Sequence, residues 1–151
     1  MTDRKKYERQ ASPTRAMVAE TKPLSDLALL RLLRIPKSSF ESPIGMESAR
    51  PGQPVRTIGN PGSSGAVWLY ASGTVRQVNR ADFEPQDGRE LRAKVVETQN
   101  PISQGESGGP VLNNSAELVA ENQSVSREAS LVAICIDVEE IQRLLKSVSS
   151  P

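Results

Sequence analysis

The residues best suited to chemistry lie in "QGESGGPVLN", positions 104 to 113. One serine, Ser107, stands among Gly105, Gly108 and Gly109, and the stretch continues into Pro110 and an apolar pair. Small residues on both sides allow a tight backbone whose amides converge while the hydroxyl projects outward. Such amides suit the negative oxygen that develops in acyl transfer, where fixed donors are often the largest contribution to catalysis. A hydroxyl also needs a proton acceptor, most often histidine, and the 151-residue chain contains none. On the hexapeptide alone two readings stand, a reaction centre and a glycine-rich turn with an incidental serine.

The same letters satisfy G-x-S-x-G, the elbow that carries the nucleophile of α/β-hydrolases, but that motif needs a following helix and a downstream histidine. Here Pro110 and the strand-like "VLN" follow, so the elbow is set aside. Lysine replaces histidine in some Ser–Lys pairs, yet the spacing of Lys22 and Lys94 to Ser107 favours neither. Cys135, in "LVAICI", is the single cysteine. It can close no disulfide within the chain and reads as a small buried hydrophobe.

These groups need a scaffold, and the chain's length suits one domain, able to bury roughly two-thirds of the surface its unfolded form exposes. All ten glycines fall between Gly45 and Gly109 and punctuate short β-like runs. The runs are "VRTI", "AVWLYASGTVRQV" (66–78), "LRAKVVETQ" (91–99), "PVLN", "ELVAE" and "SLVAICI". Six short strands predict an all-β middle, a small antiparallel barrel or sandwich. Gly73 is expected to mark a bulge, and "LRAKVVETQ" a half-buried strand with Leu91, Ala93 and Val95 inward. In "DVEEIQRLLKSV" the period changes: Val138, Ile141, Leu144, Leu145 and Val148 share one helical face. Asp137 and Glu140 form a candidate capping pair for that helix. Ahead of Gly45, "RAMVAE" and "DLALLRLLRI" are two further strand candidates, too few to close a barrel by themselves.

Nineteen basic and eighteen acidic side chains leave a net charge of +1, which gives no long-range field to attract nucleic acid. The polar, basic "MTDRKKYERQASPTR" has no apolar core of a secretory signal, and "LALLRLLRI" is too short and too charged to span a bilayer. The compartment stays open.

Four segments, in order, resemble the trypsin-like serine proteases, and within them the bacterial HtrA/Deg branch, whose members are often extracytoplasmic. They are "DLALLRL", "GQPVRTIGNPG" with "SGTV", "TQNPISQGESGGPVLN", and "ELVA" through "AICIDVEEIQRLL", together about residues 15 to 148. The resemblance implies two six-stranded β-barrels with a cleft between them, a His–Asp–Ser triad, and hydrolysis of polypeptides without metal or other cofactor. It implies that residues 1–15 are a polar leading segment, 16–43 the end of the first barrel with its linker, and 44–151 a complete second barrel with its helix. Carried over by position, Ser107 is the nucleophile, Asp26 the orienting acid, and the amides of Gly105 and Ser107 the oxyanion hole. Asn100, Pro101, Ile102, Ser103 and Gln104 would wall the pocket for the residue before the cleaved bond. Ala120, Glu121 and Asn122, within "AENQS", would offer the edge that pairs with substrate backbone. No charge falls deep in that pocket, so a small or aliphatic side chain is expected there.

Two departures stand out. Glu106 occupies a position where many relatives carry Asp or Asn, and fewer residues precede Asp26 than the family's upstream histidine requires. The base is expected off the front of this sequence, so that the chain alone should hardly turn over. The alternative is a histidine-free homologue that binds peptides or proteins without cleaving them.

Overall fold

The computed structural model describes residues 2–10, 13–37, 39–62, 65–83, 90–125 and 131–149. In chain order the elements are β1 (Thr2–Asp3), α1 (Arg4–Gln10), β2 (Ala16–Lys22), a 3₁₀ turn (Pro23–Ser25), β3 (Leu27–Leu32), β4 (Pro54–Gly59) and β5 (Ala66–Val67). There follow β6 (Leu69–Phe83), β7 (Leu91–Thr98), β8 (Pro110–Leu112), β9 (Leu118–Val125), β10 (Ala133–Asp137) and α2 (Val138–Ser149). Six strands close into a barrel in the order β10-β7-β6-β4-β8-β9, every pair antiparallel. The fold is mostly β, with 47% of the described residues in strands. β2 and β3 form a separate antiparallel hairpin, and β1 pairs with β5.

Two apolar layers explain why the strands close. Inside the barrel Val55, Val75, Val96, Val111, Val119 and Cys135 pack together. Outside it Leu91, Ala93, Val95 and Ile136 meet Ile141 and Leu144 of α2 and Leu27 of the hairpin. β7 is therefore apolar on both faces over Val95 and Val96, both nearly inaccessible, rather than half-buried throughout. The alternation Leu91, Ala93, Val95 marks the face toward α2 and not the barrel interior.

Several local expectations shift. The bulge in β6 falls between Val75 and Gln77, not at Gly73, which pairs regularly with Val55. Gly73 is small because a Cβ there would stand 2.5 Å from the Asn100 amide oxygen and 2.6 Å from the Gln99 carbonyl. The run 66–78 is broken at Trp68, whose positive φ of 55° separates β5 from β6. β6 runs past the run read from the sequence and takes in "ADF" (81–83), and residues 84–89 lie outside the described residues. Within the polar leading segment, residues 2–10 form β1 and α1.

At the start of α2, Asp137 caps the helix, accepting from the Glu139 N–H at 2.8 Å. Glu140 does not complete the capping box. It turns across to β7 and the hairpin, accepting from the Lys94 N–H (3.0 Å), the Ser25 hydroxyl (3.3 Å) and the Arg143 guanidinium (2.5 Å). Those partners compete better for a carboxylate that is only 5% exposed. Burial acts to raise the Glu140 pKa, but the bonds from Lys94 and Arg143 outweigh it and hold the group below its ordinary 4.5.

A depressed carboxyl stabilises the fold above its unfolded pKa, and this stabilisation is lost as pH falls through the folded value. Glu140→Gln should therefore lower stability to urea by roughly 2 kcal/mol at pH 7, the scale of a hydrogen bond to a charged group. The gap from the parent should narrow as the pH drops below 4.5; an equal gap at every pH would contradict this.

Candidate active site

The serine turn is built from its own backbone and from two neighbours. The Glu106 N–H donates to the Ser103 carbonyl (3.1 Å) and the Gly109 N–H to the Glu106 carbonyl (3.0 Å). The Glu106 carboxylate in return accepts from the Ser103 N–H at 2.6 Å. Glu106, 6% exposed, lies over Gly59, where a Cβ would collide with its carboxylate. The extra methylene relative to aspartate is thus accommodated by a glycine in β4. On the other side the Gly62 N–H donates to the Gln104 carbonyl at 2.7 Å, and a Cβ on Gly105 would sit 2.5 Å from the Gly62 nitrogen. Gly105 (φ 98°) and Gly108 (φ 82°) both occupy left-handed backbone that favours glycine. Among the described residues, the Gly105 and Ser107 amides take part in no backbone hydrogen bond, which leaves both donors available.

β9 ties this turn to the hairpin. The Gly108 N–H donates to the Asn122 carbonyl (2.8 Å) and the Asn122 N–H to the Gly109 carbonyl (2.9 Å). One residue on, the Ser107 hydroxyl donates to the Gln123 carbonyl at 2.9 Å. The Gln123 side-chain N–H donates to Asp26 Oδ2 at 3.2 Å. Asp26 follows the 3₁₀ turn in left-handed backbone (φ 51°), its N–H closing onto the Pro23 carbonyl at 3.0 Å. Gln123 therefore touches both candidate catalytic residues. It entered the sequence reading only within "AENQS", and the available signal was its parity with Glu121 on one strand face.

Asp26, Ser107, Glu121, Gln123 and Ile136 line one open groove of about 290 Å³ between hairpin and barrel. Burial, together with the charge of Asp26, pushes the Glu121 carboxyl up to about 7. The groove thus holds two carboxyl groups beside a serine. Lys94 offers no base here, because its ammonium bonds Ser48 (2.7 Å) and Glu139 (2.6 Å) at the start of α2. Lys22, at the end of β2, does not line the groove. Cys135 is fully buried and its thiol is pushed up to about 12 by that burial, the behaviour of a packing residue.

The expected substrate residues separate into groups. Pro101, Ser103 and Gln104 are exposed and Ile102 is half-buried against the barrel interior, whereas Asn100 is enclosed beneath Gly73. Ala120 and Glu121 cannot offer a free edge: they pair with Val111 and Pro110 on one side and Asp137 and Ile136 on the other. Asn122 is 2% exposed and its backbone is taken by Gly108 and Gly109. Past Asn122, β9 pairs only with β10 among the described residues, so the backbone edge open to a peptide is Gln123–Val125. The edge lies further along the strand because β8 is only three residues long. Among the described residues there is no group of metal-ligating side chains and no helix long and apolar enough to cross a membrane.

Known proteins give the same architecture. The Rv3671c protease from M. tuberculosis in its active form superposes with a TM-score of 0.81 at 20% identity, covering 93% of this chain and 61% of that one. The inactive form of that protease gives 0.76, also at 20% identity, over 92% of this chain and 69% of that one. The HtrA-type protease AlgW with a decapeptide gives 0.75 at 22% identity, over 93% of this chain and 42% of that one. This chain thus spans less than two-thirds of the active Rv3671c chain. No curated protein sequence matches it. The trypsin-like peptidase domain profile matches residues 2–120, from β1 into β9, and this chain belongs to the trypsin-like peptidase domain family.

Proposed function

We propose that this chain is the serine-bearing part of a serine endopeptidase of HtrA type, with Ser107 as nucleophile and Asp26 as the carboxylate that orients a histidine. The observation that carries the reading is that residues 26 and 107 meet at one groove, joined through Gln123. The histidine is supplied from outside these 151 residues, as the shorter span relative to the active Rv3671c chain allows. Residues 16–43, the hairpin and its linker, end a first barrel, and residues 44–151 form the second with its helix. The exposed apolar side chains of the hairpin, among them Val18, Leu30 and Leu32, receive the remainder of that first barrel.

In the proposed reaction Ser107 Oγ bonds the substrate carbonyl carbon while its proton passes to the imidazole. The carbonyl oxygen takes the negative charge against the Gly105 and Ser107 amides. Collapse expels the amine, which leaves with the proton, and water then repeats the sequence to release the acid and restore Ser107. Without the imidazole, Ser107 Oγ rests on the Gln123 carbonyl and is a poor nucleophile. Substrate backbone pairs along Gln123–Val125, and a small or aliphatic side chain packs toward Ile102, which reaches the apolar interior.

Added imidazole can test the missing base on the chain itself. A fluorophosphonate probe should modify Ser107 slowly, and imidazole at saturating concentration should raise the rate at least tenfold. Ser107→Ala should abolish labelling, and Asp26→Asn should remove most of the imidazole effect because the base loses its orienting partner. A chain that binds peptides along β9 but stays unlabelled with imidazole present would establish the non-cleaving alternative instead.

The Glu121 carboxyl sets a pH dependence. A carboxyl raised to about 7 opposes folding once charged, so the Glu121 contribution is favourable at low pH and lost as pH rises through that value. Glu121→Gln should raise the urea midpoint at pH 8.5, roughly 1.5 units above that value, and leave it nearly unchanged at pH 4. No gain at the higher pH would show that the carboxylate is compensated.

A further inference from the structure

The leading segment reaches the serine turn by a route that the sequence did not suggest. α1 has only seven residues, too few to persist by itself, and it is held by docking. Asp3 accepts from the Lys6 N–H at 2.9 Å and so caps it. β1 pairs Thr2 with Val67 and Asp3 with Ala66, and the Arg4 N–H donates to the Gly65 carbonyl at 2.7 Å. The Tyr7 ring meets Trp68 edge-on, centroids 4.6 Å apart at 75°. Trp68 in turn is fixed by its backbone N–H, which donates to the Asn60 side-chain oxygen at 2.7 Å.

From this clasp the Arg4 guanidinium donates to the carbonyls of Asn60 and Pro61, each at 3.0 Å. The Pro61 carbonyl and the Gly62 N–H belong to one planar trans peptide, so an acceptor on one end sets the direction of the donor on the other. That Gly62 N–H holds the Gln104 carbonyl at 2.7 Å. The Gln104 carbonyl and the Gly105 N–H are likewise two ends of one peptide. The path is therefore Arg4 to peptide 61–62 to peptide 104–105, each bond polarising the next and the first assisted by charge. Rotation of peptide 104–105 would break the Gly62 bond and turn the Gly105 N–H away.

We infer that Arg4 is a positioning residue: through peptides 61–62 and 104–105 it aims the Gly105 N–H at the oxyanion site. The inference rests on the reading of Gly105 as an oxyanion donor, but its physical content is the coupling between Arg4 and the turn. Residues 60–62 are the lever, gripped by Arg4 on one side and by the serine turn on the other.

Amide NMR on the ¹⁵N-labelled chain tests this without requiring catalysis. Arg4→Ala should speed hydrogen exchange at Gly62 at least tenfold and shift the Gly105 resonance, with Val96 in β7 unchanged as the folding control. Arg4→Lys keeps the charge but not the planar group whose single Nη2 reaches both carbonyls, and should give smaller changes at the same two amides. Tyr7→Ala, which loosens the clasp while sparing Arg4, should affect Gly62 less than Arg4→Ala does. Unchanged Gly62 and Gly105 signals in both Arg4 variants would overturn the inference, as would a Tyr7→Ala effect equal to that of Arg4→Ala. Should Arg4→Ala disturb Val96 as well, Arg4→Lys decides, and silence at Gly62 in that variant overturns the coupling. Imidazole-dependent labelling of Ser107 in the parent is measured separately, so the coupling can fail while the peptidase reading stands, and the reverse.

Discussion

The structure depends on where β9 loses one of its neighbours. β8 pairs with β9 only from Leu118 to Glu121, and the next bonds, at Asn122, go to Gly108 and Gly109 of the serine turn. The turn thus takes the place that a longer β8 would have filled. This fixes Ser107 against the barrel wall and leaves Gln123 with a carbonyl and a side chain free to reach outward. The carbonyl receives Ser107 and the side chain finds Asp26. A β8 two residues longer would satisfy the edge of β9 and remove both the serine turn and the groove beside it.

The same constraint explains the polar character of the groove. Strand alternation puts Glu121 and Gln123 on one face of β9, and that face meets the hairpin where Asp26 enters β3. Burial first, and then the charge of Asp26, pushes the Glu121 carboxyl up to about 7.

Much of this was legible in the sequence, unevenly. The six barrel strands follow from short β-like runs between glycine-rich breaks, and α2 from its period. The parts missed are those in which one residue answers another far away. Gly73 announces a break in periodicity, but its reason is Asn100, across the barrel. Glu140 has the spacing of a capping box, yet Lys94, Ser25 and Arg143 offer better partners than the helix end. Glu106 looks one methylene too long until Gly59 is placed beneath it. Ser107 and Asp26 stand out in the sequence because they match a family pattern, whereas Gln123, which touches both, carries no motif. Strand runs do not reveal that β8 stops pairing with β9 at Glu121.

The hairpin shows how little holds the two halves of the groove in register. A two-stranded sheet is at best marginally stable in water, so β2 and β3 keep their place through contacts with the barrel and α2. Leu27 enters the cluster with Leu91, Ile136 and Leu144, Ser25 bonds Glu140, and Asp26 bonds Gln123. These three contacts are consecutive in sequence and serve three different roles, apolar burial, a buried polar anchor and an accessible acceptor. The first two fix the backbone on either side of Asp26, so the left-handed turn at that residue has little freedom left. Its carboxylate is consequently aimed by burial on both flanks rather than by the Gln123 bond alone, and it can release Gln123 for another donor without moving the strand that carries it.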